Sequence, residues 1–201
     1  MEFPYAEMHA FPDGQTPHTG NPAGVVMLHR DLPDADLLGV AQSNNLSETA
    51  YLKAMGEKDQ WALRWFTPGL EVELCGHATL ASAAWLFETG RVMGPEARFH
   101  TLSGLLKVIR LEDGRYQMDF PQIGYTRGQA DAPVVAAMGG TAPEAGYEIE
   151  RGHGNRYQML VYSDEAGVGG INPDSKALAA TRTNVIATEP GRATEFGARF
   201  L

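Results

Sequence analysis

The sequence predicts an α+β fold in which an antiparallel sheet curls around one central helix. Up to about residue 121, the chain divides into short apolar runs bounded by glycine, proline and asparagine, a pattern typical of strands. One segment, 76–89, is apolar around most of its circumference, and such a helix must be enclosed by protein. The strands are too short for a doubly wound sheet, so a sheet wrapped around the buried helix accounts for both observations.

The N-terminal strands are interrupted by one peripheral helix, which is predicted to begin at Pro33 and to run to about Gln42. Proline suits the first turn of a helix, and the carboxylates of Asp34 and Asp36 suit the positive end of its dipole. Farther along, Asp113-Gly114 separates two apolar runs and predicts a hairpin, because such turns require positive φ. The predicted strands are 5–11, 25–28, 48–54, 61–67, 105–111 and 116–120, and a short segment at 71–74 precedes the buried helix.

From Pro121 the composition loosens into glycine, alanine, proline and glutamine, which indicates a linker between two domains. Residues 1–121 are therefore predicted to form an N-terminal sheet-around-helix domain, and residues 122–201 part of a C-terminal domain. In the latter we expect helices near 133–138 and 173–180 and strands at 157–162, 183–187 and 196–201. An apolar strand without a polar tail at the end of the chain favours an incomplete second domain.

Composition excludes several classes of function. The net charge of −9 argues against nucleic acid as a partner, because phosphate binding needs clustered lysine and arginine. No run reaches the ~20 apolar residues of a membrane helix. A single cysteine allows no intramolecular disulfide and favours a reducing, cytoplasmic compartment. The six histidines are scattered, Cys75 has no second cysteine beside it, and no phosphate-binding glycine loop occurs, so neither a metal nor a cofactor is expected.

Glu48 is the most informative single residue. If its segment is extended, period-2 alternation places Glu48 with Leu46, Ala50 and Leu52 on one face. Desolvation on an apolar face disfavours the charged form of a carboxyl group, which suits a residue that must both take and give a proton. The alternative is that the strand register slips, leaving Glu48 as a solvated residue at the strand edge.

A second candidate site lies at the predicted start of the buried helix. Free N–H groups and the helix dipole make that terminus a binding site for anions, and glycine at 76 lets a ligand approach the backbone. His77 could hydrogen-bond a substrate, or it could be a packing residue. Cys75 could be a base with a lowered pKa, or a small buried apolar residue. Asn21, in the run Gly20–Gly24, places an amide in a predicted tight turn.

These segments carry a family resemblance. The runs TGNPAGV, NNLSETAYL and LRWFTPGLEVELCGHATLASA resemble the N-terminal half of the phenazine-biosynthesis-type isomerase family, which has the diaminopimelate-epimerase-like fold. RFHTLSG and MDFP extend the resemblance to about Pro121, and EFGARFL resembles the entry to the second signature. The Asp-Pro-Val-Thr-Gly-Ser-type motif that opens the family's second central helix does not occur here.

The resemblance implies a cofactor-independent, usually homodimeric isomerase that moves a proton on a small carboxylate-bearing substrate bound between two domains. It implies that Glu48 is the catalytic acid/base, and that Gly76, His77 and Asn21 bind the substrate. Cys75 matches the position of a catalytic cysteine in related epimerases and racemases.

Two alternatives to the Glu48 isomerase stay open. One is an epimerase or racemase that uses Cys75 as its base. The other is a truncated, non-catalytic fragment or a module that binds small acids, which the missing second motif favours.

Overall fold

A computed structural model describes residues 2–12, 19–120, 122–150, 156–192 and 196–201. The chain divides into two compact units, Met1–Phe120 and Pro121–Leu201, which we call the N-terminal and C-terminal units. The N-terminal unit contains β1 (Tyr5–Ala10), β2 (Asn21–Leu28), α1 (Asp34–Asn44), β3 (Glu48–Ala54), β4 (Gln60–Phe66), β5 (Glu71–Val72), α2 (Gly76–Glu88), β6 (Glu96–Thr101), β7 (Gly104–Arg110) and β8 (Tyr116–Met118).

The strands of the N-terminal unit form one sheet in the order β1-β2-β3-β4-β6-β7-β8, with β5 paired to β4. The α+β class is confirmed, but the sheet is mixed rather than antiparallel: β2 pairs with β3, and β4 with β6, in parallel. Parallel neighbours need a crossover between them, and α1 and α2 supply it. The predicted hairpin joins β7 to β8, with Gly114 at φ +85.

Helix α2 is enclosed by the sheet, as its sequence predicts, and packs against β1, β2, β3, β7 and β8. Ala78 and Leu86 are completely buried. The helix also carries buried hydroxyls, which Thr79 and Ser82 donate to the carbonyls of Cys75 and Ala78, four residues back, at 2.6 and 2.7 Å. Because these hydroxyls are satisfied within the helix, their burial leaves no orphaned polar group.

Strand β3 confirms the predicted alternation of side chains. Ala50 and Leu52 belong to the apolar cluster around α2, whereas Tyr51 points to the opposite face and packs beneath α1. The Tyr51 hydroxyl donates a hydrogen bond of 2.6 Å to the carbonyl of Leu37 in α1. The strand is therefore buried on both faces, and its first residue, Glu48, is held in register by the packing of those that follow.

The prediction of a tight turn at Gly20–Gly24 is wrong. Strand β2 begins at Asn21, four residues before the predicted start, and Asn21 pairs with Ala10 of β1. Only Gly20, at φ +94, has a turn conformation. Glycine and proline obscured the strand in the sequence, but pairing with β1 on one side and β3 on the other fixes this segment as extended.

The C-terminal unit is a five-stranded sheet in the order β13-β12-β11-β10-β9, with β11 and β12 parallel. Its elements are β9 (Tyr125–Gly128), α3 (Ala132–Met138), β10 (Ala145–Ile149), β11 (Arg156–Val161), α4 (Glu165–Gly169), α5 (Ser175–Thr181), β12 (Thr183–Pro190) and β13 (Phe196–Phe200). The sequence reasoning missed β9, β10 and α4.

Residues of α3, α4 and α5 pack with β11 and β12 into a separate apolar cluster, so the helices cover one face of this sheet. Tyr125, Phe196 and Phe200 on the edge strands are more than half exposed. Incompleteness of the second domain stays a prediction. Among the described helices of both units, none combines the length and apolarity that spanning a membrane requires.

Candidate active site

Three segments of the N-terminal unit meet at one place: the start of β2, the start of β3 and the N-terminus of α2. Glu48, the first residue of β3, lies opposite Ala23 in the parallel pairing with β2. Helix α2 packs across both strands. The fold therefore brings Glu48 beside Cys75 and His77, which precede and open the helix.

The Glu48 side chain is 19% exposed, so it is largely withdrawn from solvent but still reachable. Its Oε2 atom is buried, and no donor among the described residues forms a hydrogen bond with it. The Nε2 atom of His77 lies 3.3 Å from that oxygen, close enough for an ion pair if the imidazole is protonated, but without hydrogen-bond geometry. The carboxylate is thus held beside an imidazole and keeps a free acceptor.

His77 lies between Glu48 and Cys75. Its Nε2 is 3.3 Å from the Ser47 hydroxyl, and its Nδ1 is 3.4 Å from the Cys75 sulfur. Burial lowers the pKa of His77, against opposing effects of the Glu48 charge and of a hydrogen bond with the Pro22 carbonyl. The neutral imidazole is therefore favoured near pH 7, and it can accept a proton at one nitrogen while donating at the other.

Cys75 is buried, and the pKa of its thiol is raised, whereas a helix dipole lowers the pKa of an activated cysteine. Burial raises its pKa to about 12, and the charge of Glu48 adds to the increase. The sequence-based alternative expected a lowered pKa from the helix dipole. That expectation is wrong, because desolvation and the neighbouring carboxylate outweigh the dipole. A protonated thiol has one proton, which it can donate either to the Glu48 carboxylate or to Nδ1 of His77.

The N-terminus of α2 presents the backbone N–H groups expected of an anion site, but the space over Gly76 is occupied. A Cβ at residue 76 would lie 2.6 Å from Cζ and 3.0 Å from Cε1 of Phe120. The glycine therefore accommodates an aromatic ring of the same unit, and a ligand that reaches this backbone must share the space with Phe120 or displace it. Phe120 is 53% exposed, so its ring has room to move.

Of the other predicted site residues, Asn21 lies exposed at the start of β2, next to Pro22, whose carbonyl faces His77 and lies 3.5 Å from the Ser47 hydroxyl. Sequence reasoning assigned no role to Ser47, Pro22 or Phe120. Ser47 and Pro22 stand beside the predicted site residues, and that adjacency was the available signal. Phe120 belongs to the MDFP run of the family resemblance, but nothing in the sequence connects it with Gly76, which is distant along the chain.

Glu48, Cys75 and His77 offer donor atoms that all lie within 4.8 Å of one another. The sequence predicts no metal site, because it has neither paired histidines nor paired cysteines at the spacing of metal ligands. The contribution of Glu48 to such a cluster becomes visible only when β3 and α2 are brought together.

Comparisons with known proteins place the chain in a family. The sequence model of phenazine biosynthesis-like proteins matches residues 8–200. An uncharacterized isomerase of Pseudomonas aeruginosa is 37% identical over 210 residues, covering all of this chain and 73% of the relative. A human phenazine biosynthesis-like domain-containing protein is 48% identical over 101 residues, 47% of this chain and 35% of that protein.

The solved structures agree. A phenazine biosynthesis protein from Enterococcus faecalis superposes with a TM-score of 0.83 at 37% identity, over all of this chain and 74% of that one. A predicted epimerase from Pseudomonas aeruginosa, 20% identical with a TM-score of 0.70, shares the fold. The resemblance seen in the motifs is confirmed, and the chain belongs to the family of phenazine biosynthesis-like proteins.

Proposed function

We propose that this chain carries the general acid/base of a cofactor-independent isomerase that moves a proton on a small carboxylate-bearing metabolite. The observation that supports it most directly is the placement of Glu48: a largely buried carboxylate with a free acceptor oxygen, 3.3 Å from a neutral imidazole and beside the start of a helix. The isomerase name of the Pseudomonas aeruginosa relative points to the same class of reaction.

In this mechanism, the substrate carboxylate binds at the N-terminus of α2, where the backbone N–H groups of the first turn and the helix dipole favour negative charge. Glu48 removes a proton from the adjacent carbon, and the electron pair moves into the substrate's unsaturated system. The same carboxyl group then returns the proton to another carbon. His77, whose Nε2 faces Glu48, positions the carboxylate and stabilises whichever form of it is present.

A base at Cys75 is the weaker enzymatic alternative. A thiol with a pKa of about 12 is almost wholly protonated near neutrality, and only the thiolate is a competent base. The same burial that protects the thiol leaves Glu48 as the reactive group at the helix start. The thiol then serves as a hydrogen-bonding neighbour of His77.

The test is deuterium incorporation from D2O into a panel of small unsaturated carboxylates, followed by NMR. We expect Glu48→Gln to lower incorporation by roughly 10²–10⁴-fold, the usual contribution of a positioned acid/base. Glu112→Gln, an exposed carboxylate of the same unit, is the matched control and should leave the rate unchanged. Normal incorporation by Glu48→Gln would exclude the proposal, and loss on Cys75→Ala alone would favour the thiol mechanism.

A non-catalytic small-acid-binding module would give a different pattern in the same samples. Carboxylates would shift the amide resonances of Gly76 and His77 without any incorporation of deuterium. Incorporation that depends on Glu48 would exclude this alternative.

A further inference from the structure

Three chemically different donors converge at the start of α2. Glu48 offers a carboxylate oxygen, Cys75 a sulfur and His77 a ring nitrogen, and their donor atoms all lie within 4.8 Å of one another. Two structural elements supply them, β3 and the beginning of α2. All three side chains are largely or fully withdrawn from solvent. This mixed set of donors differs from the exposed acidic clusters that are common on protein surfaces.

The three donors lie near one another, within 4.8 Å, but are not arranged as the ligands of a tetrahedral zinc site are. Metal–ligand distances of about 2.0–2.3 Å place neighbouring donors roughly 3.3–3.7 Å apart. Here Oε2 of Glu48 lies 3.3 Å from Nε2 of His77, and the Cys75 sulfur lies 3.4 Å from Nδ1. The two contacts use different ring nitrogens, so one ion needs a side-chain rotation of Cys75 or Glu48 to gather all three donors.

The Glu48 carboxylate has one oxygen that is not satisfied. Oε2 is buried, and no donor among the described residues forms a hydrogen bond with it. Over the described ranges 2–12, 19–120, 122–150, 156–192 and 196–201, Glu48 pairs with His77 and with no lysine or arginine. A buried acceptor without a cation is destabilised by desolvation, and a bound cation would relieve that cost.

We propose that Glu48, Cys75 and His77 bind one divalent cation of the zinc type, and that this ion blocks the reaction by occupying Glu48. Binding converts the thiol to a metal-bound thiolate and releases its proton to solvent. The imidazole binds in its neutral form, and the fourth position is left to water, as in zinc sites with three protein ligands. Thiolate and imidazole donors select zinc over magnesium or calcium, which prefer oxygen alone.

Binding is tested without reference to turnover. The affinity for Zn²⁺ is measured by competition with a chromophoric chelator, and Co²⁺ replaces Zn²⁺ as a spectroscopic probe. We expect one ion per chain and a thiolate-to-cobalt charge-transfer band. Cys75→Ser should abolish the band, and Cys75→Ser, His77→Gln and Glu48→Gln should each weaken binding, the first two by about 100-fold or more, since even indirect partners contribute 10–100-fold.

The matched control is His100→Gln, because His100 is an exposed histidine of the same unit, hydrogen-bonded to Gln60 at 2.7 Å. It should leave both the affinity and the cobalt spectrum unchanged. Tryptophan fluorescence of every variant checks that the N-terminal unit is folded. Absence of stoichiometric binding, or binding that survives both Cys75→Ser and His77→Gln, overturns the site.

The inhibitory part rests on the proposed function and has its own measurement. Saturating Zn²⁺ should suppress deuterium incorporation, and a chelator should restore it, whereas Mg²⁺ at the same concentration should have no effect. Full incorporation with zinc bound would overturn inhibition while leaving the binding site intact. Incorporation that zinc suppresses but that persists in the zinc-free Glu48→Gln variant would instead contradict the proposed function and not the metal site.

Discussion

Gly76→Ala separates two reasons for a glycine at the start of α2: room for a ligand and room for Phe120. The added Cβ would meet Cζ of Phe120 at 2.6 Å and Cε1 at 3.0 Å, distances that real structures do not tolerate. Either the ring moves out or the helix start shifts. Both responses reduce the stability of the N-terminal unit.

The magnitude follows from the burial of the ring. Phe120 is 53% exposed, so about half of the ~1.5–3 kcal/mol gained by burying a phenylalanine is at stake if the ring moves out. If the ring stays, overpacking costs about 1–3 kcal/mol. Because the chain takes the less costly response, we expect Gly76→Ala to lower the free energy of unfolding by about 0.8–1.5 kcal/mol. In a Phe120→Ala background the same change should be neutral or slightly stabilising, because alanine is the better helix former.

The assay uses the intrinsic tryptophan fluorescence of the chain. All three tryptophans, Trp61, Trp65 and Trp85, lie buried in the N-terminal unit, so tryptophan fluorescence follows the unfolding of that unit alone. Urea titrations of wild type, the two single variants and the double variant complete a double-mutant cycle. Equal costs of Gly76→Ala with and without Phe120 would show that the ring does not occupy this space, and would refute the reasoning.

Four further predictions concern the reactivity of Cys75 and the effects of His77, Tyr51 and Tyr162 on stability. With a chelator present, iodoacetamide should label Cys75 about a thousandfold more slowly than an ordinary thiol, because the pKa of Cys75 rises from 9.0 to about 12. Mass spectrometry follows the labelling, and fast labelling of the folded protein would contradict this. Burial lowers the pKa of His77 below 6.5, so its contribution to stability is present above pH 6.5 and is lost as the pH falls through the pKa of the folded state. His77→Gln should therefore flatten the acid limb of a curve of stability against pH. Tyr51→Phe should cost about 0.5–1.5 kcal/mol in urea unfolding, because its hydroxyl donates to Leu37. Tyr162→Phe should be neutral or stabilising in the same measurement by circular dichroism, because that buried hydroxyl has no partner among the described residues; a cost equal to that of Tyr51→Phe would argue against the difference.

The parts of the site that depend on local pattern could be predicted from the sequence. Helix α2 was predicted as 76–89 and spans Gly76–Glu88, because a helix that is apolar on most faces has few other interpretations. The alternation in β3 predicts Glu48 on the same face as Ala50 and Leu52. In the structure, Ala50 and Leu52 pack in the cluster around α2, and Glu48 lies 3.3 Å from His77 of that helix. Each of these inferences needs only neighbouring residues.

What escaped prediction depends on contacts distant in the sequence. Phe120 fills the space over Gly76, and burial together with the Glu48 charge raises the pKa of Cys75. The periodic pattern of apolar residues does not reveal contacts between residues that are this far apart in the sequence. Strand β6 is not among the predicted strands, and its parallel pairing with β4 depends on a partner that is distant in the sequence. In the C-terminal unit, α4 has only five residues, too few for a helical period to appear.

The meeting of Pro22, Glu48 and His77 from three separate segments has a practical consequence for identifying the substrate. An unfolded chain keeps these groups apart, so any small molecule that they recognise binds the folded state alone. Such a molecule must then raise the melting temperature by mass action, with about 2.7 kcal/mol of added stability at a hundred times its dissociation constant. A metabolite library can therefore be screened by thermal shift, without an assumption about the reaction. The three tryptophans supply the signal from the unit that holds the site.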